Sequence, residues 1–281
     1  MILIGALMPQ FPHSFRNPHF LQSPQLPANL TVAILAGGMG TRLSPAVSDR
    51  PTALAQVAGR PFLAWWLDTL DQSGARCVVF CTGHLGNQVR ECFGARYKRL
   101  ELRYSHESEP LGTGGALRHA LAEFRSESVL ALNGDSYCDV DLGAFWKRHA
   151  HRGSAASLVL TPTQDAQDLA RVTLQPNGRV DQIQKNDDSE GADWMNAGIY
   201  LIQRDLLKSL PNDKPLSLEY DLLPRWLCHG VYGFASAGRF LDISTPETYA
   251  GASQFFAPAP KKLAVSPLEA HLHKPSVFSH V

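Results

Sequence analysis

The 281-residue sequence lacks an excess of charge of either sign. Its 26 Lys and Arg residues are balanced by 26 Asp and Glu residues, so the formal net charge at pH 7 is zero. Nucleic-acid-binding domains and proteins that attach to anionic membrane surfaces carry a clustered basic excess. The balance therefore argues against both classes.

Long apolar runs are also missing. No stretch reaches the roughly 18 apolar residues that a transmembrane helix needs. The apolar residues 1–8 have no basic residues beside them and run directly into Pro9 and Pro12, unlike a secretory signal. We therefore expect a cytoplasmic protein that binds neither membrane nor nucleic acid.

The few cysteines form no recognisable framework. They are Cys77, Cys81, Cys92, Cys138 and Cys228, an odd number without any CxxC pair. Disulfide scaffolds use an even number of cysteines, and structural zinc or redox sites typically place two cysteines close together in a CxxC pair. We expect free thiols in or near the core.

Prolines are concentrated towards the two ends of the chain. Residues 1–30 contain five of them and residues 257–281 contain four, in both cases without apolar periodicity. Such segments favour irregular structure. The sequence predicts an irregular proline-rich N-terminal arm (1–30), one catalytic domain (31–256) and an irregular C-terminal tail (257–281).

Between these ends, short β-rich runs alternate with helical patterns. Apolar runs at residues 31–35, 78–81 and 129–132 are separated by helical patterns at 62–70 and 112–124. This alternation predicts an α/β fold with a mixed, mainly parallel sheet. Further strand patterns, expected to extend the sheet, lie at residues 156–160, 172–174, 180–183, 199–202 and 233–235.

The most informative segment is residues 35–43 (LAGGMGTRL), which directly follows the first predicted strand. Glycines let backbone N–H groups approach an anion closely, and such a loop suits a triphosphate. Arg42 adds a cationic fork for phosphate oxygens. A dinucleotide fingerprint would need glycine at Leu43, and a P-loop would need Gly-Lys-Ser/Thr, which is absent from the sequence.

This segment resembles the signature of the sugar-phosphate nucleotidyltransferases. The resemblance covers about residues 31–256 and implies a Rossmann-like, three-layer fold of the glycosyltransferase-A-like type. Within the family the sequence is similar to the heptose-1-phosphate and mannose-1-phosphate guanylyltransferases. The motifs that carry this similarity are residues 107–115 (ESEPLGTGG), 132–135 (LNGD), 195–200 (MNAGIY), 217–219 (SLE) and 242–247 (DISTPE).

The resemblance also implies where the nucleotide binds. Glu107 falls where the family reads the base edge. A carboxylate accepts hydrogen bonds from both N1–H and the amino group of guanine, whereas uracil and thymine offer one donor there, so guanine is favoured. The expected nucleotide-binding residues are Leu35, Ala36, Gly37, Gly38, Gly40, Thr41, Arg42, Glu107, Pro110, Gly112 and Thr113.

Two aspartates are the candidates for a metal site. Asp135 follows the predicted strand 129–132, and ligands bind at the carboxyl ends of strands in α/β proteins. Mg²⁺ typically binds one or two carboxylates together with substrate phosphates. Asp242 matches the family's metal-binding aspartate. We therefore expect Mg²⁺ as cofactor at Asp135 and Asp242.

The resemblance further implies a sugar-phosphate site and a reaction. GTP and a heptose- or mannose-type sugar 1-phosphate would give GDP-sugar and pyrophosphate by in-line attack on the α-phosphate. The attacking phosphate oxygen is already ionised, so alignment and charge neutralisation by Arg42, Lys185 and the metal bound through Asp135 suffice. The expected sugar-phosphate-binding residues are Gly134, Gln184, Lys185, Asn196, Ala197, Gly198 and Glu219.

Four positions depart from the family pattern. Thr52 stands where a lysine touches the phosphates, Gln184 replaces a glutamate, Ser244 a common glycine and Tyr220 a lysine. Arg50 or Arg60 could supply the missing cation near Thr52. Two alternatives stay open: the same reaction with UTP or dTTP, and a weakened paralogue that binds nucleotide or nucleotide-sugar and regulates a partner. The sugar's identity and homo-oligomer formation also stay open.

Overall fold

The structure is a computed structural model that describes residues 24–162, 169–184, 194–212 and 214–257. The strands in these ranges are β1 (Thr31–Ala36), β2 (Gln56–Val57), β3 (Arg60–Pro61), β4 (Cys77–Thr82), β5 (Arg96–Tyr97), β6 (Leu100–His106), β7 (Ser128–Asn133), β8 (Ser136–Cys138), β9 (Ala156–Pro162), β10 (Arg171–Leu174), β11 (Val180–Gln184), β12 (Trp194–Gln203), β13 (Val231–Ala235) and β14 (Phe240–Asp242). The α-helices are α1 (Phe62–Gln72), α2 (Gly86–Phe93), α3 (Gly112–His119), α4 (Leu142–Arg152), α5 (Arg204–Lys208), α6 (Leu223–Trp226), α7 (Pro246–Ala250) and α8 (Ala252–Phe255).

A ten-stranded mixed sheet organises the fold. Its main path runs β11-β10-β12-β7-β1-β4-β6-β5, with β9 paired to β12 and β13 paired to β9. The central strands β7, β1, β4 and β6 are parallel, and β12 joins β7 in antiparallel orientation. The predicted α/β fold with a mixed, mainly parallel sheet is therefore confirmed.

The alternation of side chains along β1 divides the core into two layers. Val32 and Ile34 belong to the hydrophobic cluster on one face of the sheet, and Ala33 belongs to the cluster on the other face. Trp66 and Phe80 are among the largest fully buried side chains of the first cluster, and Tyr200 is the largest fully buried side chain of the second. Helices cover both faces, which explains why β1, β4 and β7 are mostly apolar.

The predictions for the helix at 112–124 and for the cysteines are only partly confirmed. The helical pattern at 112–124 is wrong in its second part, because α3 ends at His119 and Ala120–Glu123 is a 3-10 turn. All five cysteines are free, as predicted, but Cys228 is exposed rather than near the core. No helix in the described ranges could span a membrane, since the longest, α1 and α4, have 11 residues each.

Residues 24–30, directly before β1, pack against the rest of the fold without regular structure, whereas residues 1–23 of the predicted arm lie outside the described residues. Leu26 and Leu30 are buried, and the Leu26 N–H donates to the Ser73 carbonyl oxygen (2.8 Å). The domain boundaries at residues 30 and 256 stay predictions. The cytoplasmic location stays a prediction as well.

Candidate active site

The predicted phosphate loop leaves the carboxyl end of β1 and turns back at once. The N–H groups of Leu43 and Ser44 donate to the carbonyl oxygen of Gly40 at 3.0 and 2.9 Å. Gly40 adopts a positive φ of 61°, which glycine adopts without strain. Arg42 is exposed on this turn, and its positive charge partly offsets the rise in the pKa of Asp135 that burial and Asp242 cause.

A cleft of about 220 Å³ opens beside this loop. Ala36 is buried within β1, whereas Thr41 and Arg42 are exposed along the loop that borders the cleft. The cleft is lined also by Met39, Ala116 and Asn133, which the sequence did not assign to the site. The predicted site residues that line it are Leu35, Gly37, Gly38, Glu107, Pro110, Gly112, Thr113 and Asp135.

Glu107 presents a buried carboxylate at the wall of the cleft. The backbone N–H of Glu107 donates to Thr82 at the end of β4 (2.8 Å), which places the residue just beyond β6. Within the described part of the chain, the Oε2 atom is buried and has no hydrogen-bond partner. Burial raises the pKa of Glu107, while the Leu111 N–H and His119 act in the opposite direction. The site therefore holds an acceptor that a ligand donor would satisfy.

A second, larger cavity shares Glu107 with this cleft. Its volume is about 510 Å³, and it shares Gly37, Met39, Glu107 and Pro110 with the first cleft. Its remaining lining comes from residues 83–88, between β4 and the first half of α2, together with His106, Ser108 and Glu109. Glu107 thus lines both spaces.

The glycines of α3 have a packing role that the sequence analysis missed. A Cβ atom on Gly112 or Gly115 would lie 2.6 Å from a backbone oxygen of the segment after α5, and one on Gly114 would lie 2.4 Å from Leu222. The Gly114 N–H donates to the Leu216 carbonyl oxygen at 2.8 Å. The small residues therefore let residues 214–222 lie directly on the start of α3.

The two predicted metal-ligating aspartates are brought together by a short second sheet. In the antiparallel pair of β8 and β14, Ser136 lies opposite Asp242, and the Ile243 N–H donates to the Asp135 carbonyl oxygen (2.9 Å). Desolvation and the charge of Asp242 raise the pKa of Asp135 to about 6. Asp242 Oδ1 accepts from both the N–H (2.7 Å) and the hydroxyl of Ser244.

This pair fits a divalent cation. A carboxylate whose ionisation is disfavoured by burial and by a second carboxylate, as in Asp135, is stabilised by a positive ion beside it. No group of three His, Cys, Asp or Glu side chains in the described ranges could hold a metal alone. Mg²⁺ matches such a site, because it takes many of its ligands from phosphates and water.

The residues predicted to bind the sugar phosphate are placed less uniformly. Asn196 is only 4% exposed; its Nδ2 donates to the Tyr200 hydroxyl (2.7 Å), and its Oδ1 accepts from the Gly198 N–H (3.1 Å). Ala197 and Gly134 are also buried, whereas Gln184 is exposed at the end of β11. Lys185 lies outside the described residues. Direct sugar contacts of this set stay predictions.

Glu219 lies in a π-helical turn (Leu218–Leu222) and is held by protein donors. Its Oε2 accepts from the Thr113 hydroxyl (2.9 Å) and the Ser217 hydroxyl (3.1 Å), and its Oε1 accepts from the Tyr200 hydroxyl (2.7 Å). π-Helical turns are frequent at functional sites. Tyr200 contacts Glu219 directly, a role that the sequence analysis did not assign.

Arg50 and Arg60 are the two candidates to replace the lysine missing at Thr52, and they differ in whether their side chains are available to bind phosphate. Arg60 is buried, donates to Asp68 Oδ2 (2.9 Å) and lies over the Trp65 ring, so it is excluded as a phosphate ligand. Arg50 is paired with its exposed neighbour Asp49 through two hydrogen bonds of 2.9 and 2.6 Å. The structure thus removes one of the two substitutes considered from the sequence.

Comparison with known proteins gives a consistent family. The family model described as nucleotidyl transferase matches residues 31–257. A D-glycero-alpha-D-manno-heptose 1-phosphate guanylyltransferase of Aneurinibacillus thermoaerophilus is 32% identical over 217 residues, covering 77% of this chain and 94% of that protein. A mannose-1-phosphate guanylyltransferase of Mycobacterium tuberculosis is 28% identical; the match covers 77% of this chain but only 61% of that longer protein.

Solved structures agree with this result. HddC from Yersinia pseudotuberculosis superposes with a TM-score of 0.72 at 26% identity, covering 81% of this chain and 100% of that one. The same protein has been solved in complex with GMP-PN, with the same score and coverage. A putative glucose-1-phosphate thymidylyltransferase from Bacillus anthracis has a TM-score of 0.70 at 18% identity and supports the fold alone.

Proposed function

Since the chain belongs to the nucleotidyl transferase family, we propose that it is a sugar-1-phosphate guanylyltransferase. It joins GTP to a heptose- or mannose-type sugar 1-phosphate and releases pyrophosphate. This choice is supported by the similarity to a heptose-1-phosphate guanylyltransferase, because the match covers nearly the whole length of that relative.

The observation that carries the choice of guanine is the unpartnered Glu107 Oε2 at the wall of the cleft. Burying a carboxylate oxygen without a partner is costly, and a base with two adjacent donors would offset the cost. Guanine offers N1–H and an amino group on one edge, whereas uracil and thymine offer one donor there. The ionised form of Glu107 is the one that accepts both bonds.

The mechanism requires alignment rather than a general base, because the attacking phosphate oxygen is already ionised. The glycine loop offers backbone N–H groups to the triphosphate, and Arg42 offers its guanidinium to the phosphate oxygens. Lys185 would meet the sugar phosphate. Asp135 and Asp242 would hold Mg²⁺, which neutralises phosphate charge when bound.

The test is pyrophosphate release across the four ribonucleoside triphosphates and dTTP, each paired with a panel of sugar 1-phosphates. We expect turnover with GTP and a heptose or mannose 1-phosphate to exceed the other pairs. Higher kcat/KM with UTP or dTTP would contradict the choice of guanine. Binding of GTP or a GDP-sugar by calorimetry, without pyrophosphate release from any pair, would favour a regulatory paralogue.

A narrower comparison tests Glu107 itself. Inosine triphosphate lacks the guanine amino group, so the ratio of kcat/KM for GTP to that for ITP measures the second hydrogen bond. We expect Glu107→Gln to lower this ratio about tenfold, since a bond to a charged acceptor is lost. Glu101→Gln, an exposed glutamate of β6, is the matched control. An unchanged ratio in Glu107→Gln would remove Glu107 from base recognition.

A further inference from the structure

A continuous chain of hydrogen bonds runs from the cleft to β12, the strand that carries the predicted sugar-phosphate-binding residues Asn196, Ala197 and Gly198. It begins at Thr113 in α3, which lines the cleft, and passes through Glu219 to the hydroxyl of Tyr200 and then to Asn196 in β12. Each heavy-atom distance along it is 2.9 Å or less: 2.9, 2.7 and 2.7 Å. All three contacts are therefore direct hydrogen bonds that need no bridging water.

Every donor in the chain is directed by a second contact. The Thr113 hydroxyl accepts from the Leu218 N–H (2.7 Å), so its own hydrogen is available for Glu219. The Tyr200 hydroxyl accepts from Asn196 Nδ2, so its hydrogen is available for Glu219 Oε1. The orientation of each group is therefore fixed by its neighbours, in a network whose Tyr200 and Asn196 end is buried and whose Thr113 and Glu219 end is half-buried.

Tyr200 is the central link. It is fully buried, and burial together with the negative charge of Glu219 raises the pKa of its hydroxyl, which therefore stays protonated as a donor. The strand pairing of β12 with β9 shifts register between Asn196 and Tyr200, and Gly198 lies inside that irregularity with its N–H on Asn196 Oδ1. The hydroxyl thus spans the irregular part of the strand and also anchors the π-helical turn.

We propose that Tyr200 is a positioning residue. By way of Glu219, it holds the start of α3, which lines the cleft, and strand β12 in one fixed arrangement. This inference rests on the proposed function, because the two substrate sites it connects are those of the guanylyltransferase reaction. Tyr200 contacts neither substrate in this role. Its hydroxyl orients Glu219, and Glu219 in turn orients Thr113 at the cleft.

The test is a double-mutant cycle with Tyr200→Phe and Thr113→Val. Each substitution removes one of the two hydroxyl groups that donate to Glu219, at Oε1 and at Oε2 respectively. Steady-state kinetics give kcat and both KM values, and calorimetry gives the dissociation constant of GTP. Tyr104→Phe is the matched control, since it removes a tyrosine hydroxyl bonded to the Gly94 carbonyl oxygen at another place in the fold. Melting temperatures establish that all variants fold.

We expect Tyr200→Phe to lower kcat/KM for the sugar phosphate roughly tenfold, and the double variant to lose little more than the worse single variant, because coupled residues are not additive. Tyr104→Phe should match the parent protein. Tyr200→Phe kinetics equal to the control, or losses that multiply in the double variant, would overturn the proposal.

Failure of the proposed function is distinguishable from failure of this inference. If the parent protein releases no pyrophosphate with any pair, the guanylyltransferase assignment fails. The cycle is then read from the dissociation constant of the nucleotide that binds most tightly. Weaker binding in Tyr200→Phe that is non-additive with Thr113→Val supports the positioning role, and unchanged or additive values overturn it.

Discussion

Thr52 lies directly against the glycine loop: its hydroxyl oxygen is 2.6 Å from the point that a Cβ atom on Gly40 would occupy. The residue therefore borders the proposed triphosphate site, at the position where the family resemblance implies a lysine. Arg60 cannot replace that cation, because it is buried against Asp68 and Trp65. The loop thus has one fewer positive charge than the resemblance leads one to expect.

We predict that Thr52→Lys raises kcat/KM for the nucleotide by about tenfold, which corresponds to about 1.4 kcal/mol of added transition-state stabilisation. Thr52→Met is the matched control, because methionine is similar in length to lysine but uncharged, and it should not raise kcat/KM. The measurement is steady-state pyrophosphate release at varied GTP. Lower activity in Thr52→Lys than in Thr52→Met would mean that another cation, such as Arg50, already occupies the place.

Asp135 and Asp242 provide a second prediction, with a readout that needs no turnover. Without metal, Asp135→Asn should melt at a higher temperature than the parent, because it removes one of two carboxylates that repel each other. With Mg²⁺ and GTP, the parent should gain melting temperature while Asp135→Asn and Asp242→Asn gain far less. Differential scanning fluorimetry measures both effects.

The control for this pair is Asp181→Asn, an exposed aspartate of β11 that accepts a hydrogen bond from Gln175. It should keep the metal-dependent gain. Near-normal Mg²⁺-dependent turnover in both Asp135→Asn and Asp242→Asn would exclude them from the metal site.

Arg42 is predicted to bind the triphosphate rather than to support the fold. It is exposed on the turn after β1, so its removal deletes little packing. Arg42→Ala should weaken GTP binding by about tenfold or more, by analogy with single donors removed from an anion site, and leave the melting temperature nearly unchanged. Calorimetry and thermal melting decide; a large loss of stability with unaltered affinity would make Arg42 structural.

The sequence predicts those parts of the fold that depend on local pattern. The apolar runs at 31–35 and 129–132 read correctly as strands, because parallel strands covered on both faces are apolar throughout. The helix at 112–124 was predicted too long, since the apolar pattern continues through Ala120 and Leu121 although the hydrogen bonding changes to 3-10 there.

The sequence names candidate site residues through their motifs, but it does not indicate how these residues are connected. Asp135 and Asp242 are recognisable as motif residues, yet they meet only because β8 pairs with β14, and this pairing joins segments far apart in the chain. The hydrogen bond from the Thr113 hydroxyl to Glu219 likewise joins two segments that are far apart in the chain. Tertiary pairing of polar side chains has no period in the sequence, so the role of Tyr200 could not be inferred from it.

His149 in α4 is a buried imidazole whose charge state affects stability. It is 3% exposed, its Nδ1 is 2.9 Å from the Ser157 hydroxyl, and burial lowers its pKa from 6.5 to about 4. The unfolded chain therefore takes up a proton on this residue as the pH falls through about 6.5, whereas the folded protein does so only near 4. Because the unfolded state binds more protons in this window, stability must fall as the pH decreases through it.

We predict that His149→Gln reduces the loss of unfolding free energy between pH 7 and pH 5 by about 2 kcal/mol, the amount that these two pKa values give over that interval. Glutamine retains a group that can bond Ser157 but does not titrate. His229→Gln, at an exposed histidine, is the matched control and should leave the loss unchanged. Urea unfolding at the two pH values measures the difference, and equal losses in the parent and His149→Gln would show that His149 takes up a proton in the folded protein as readily as in the unfolded chain.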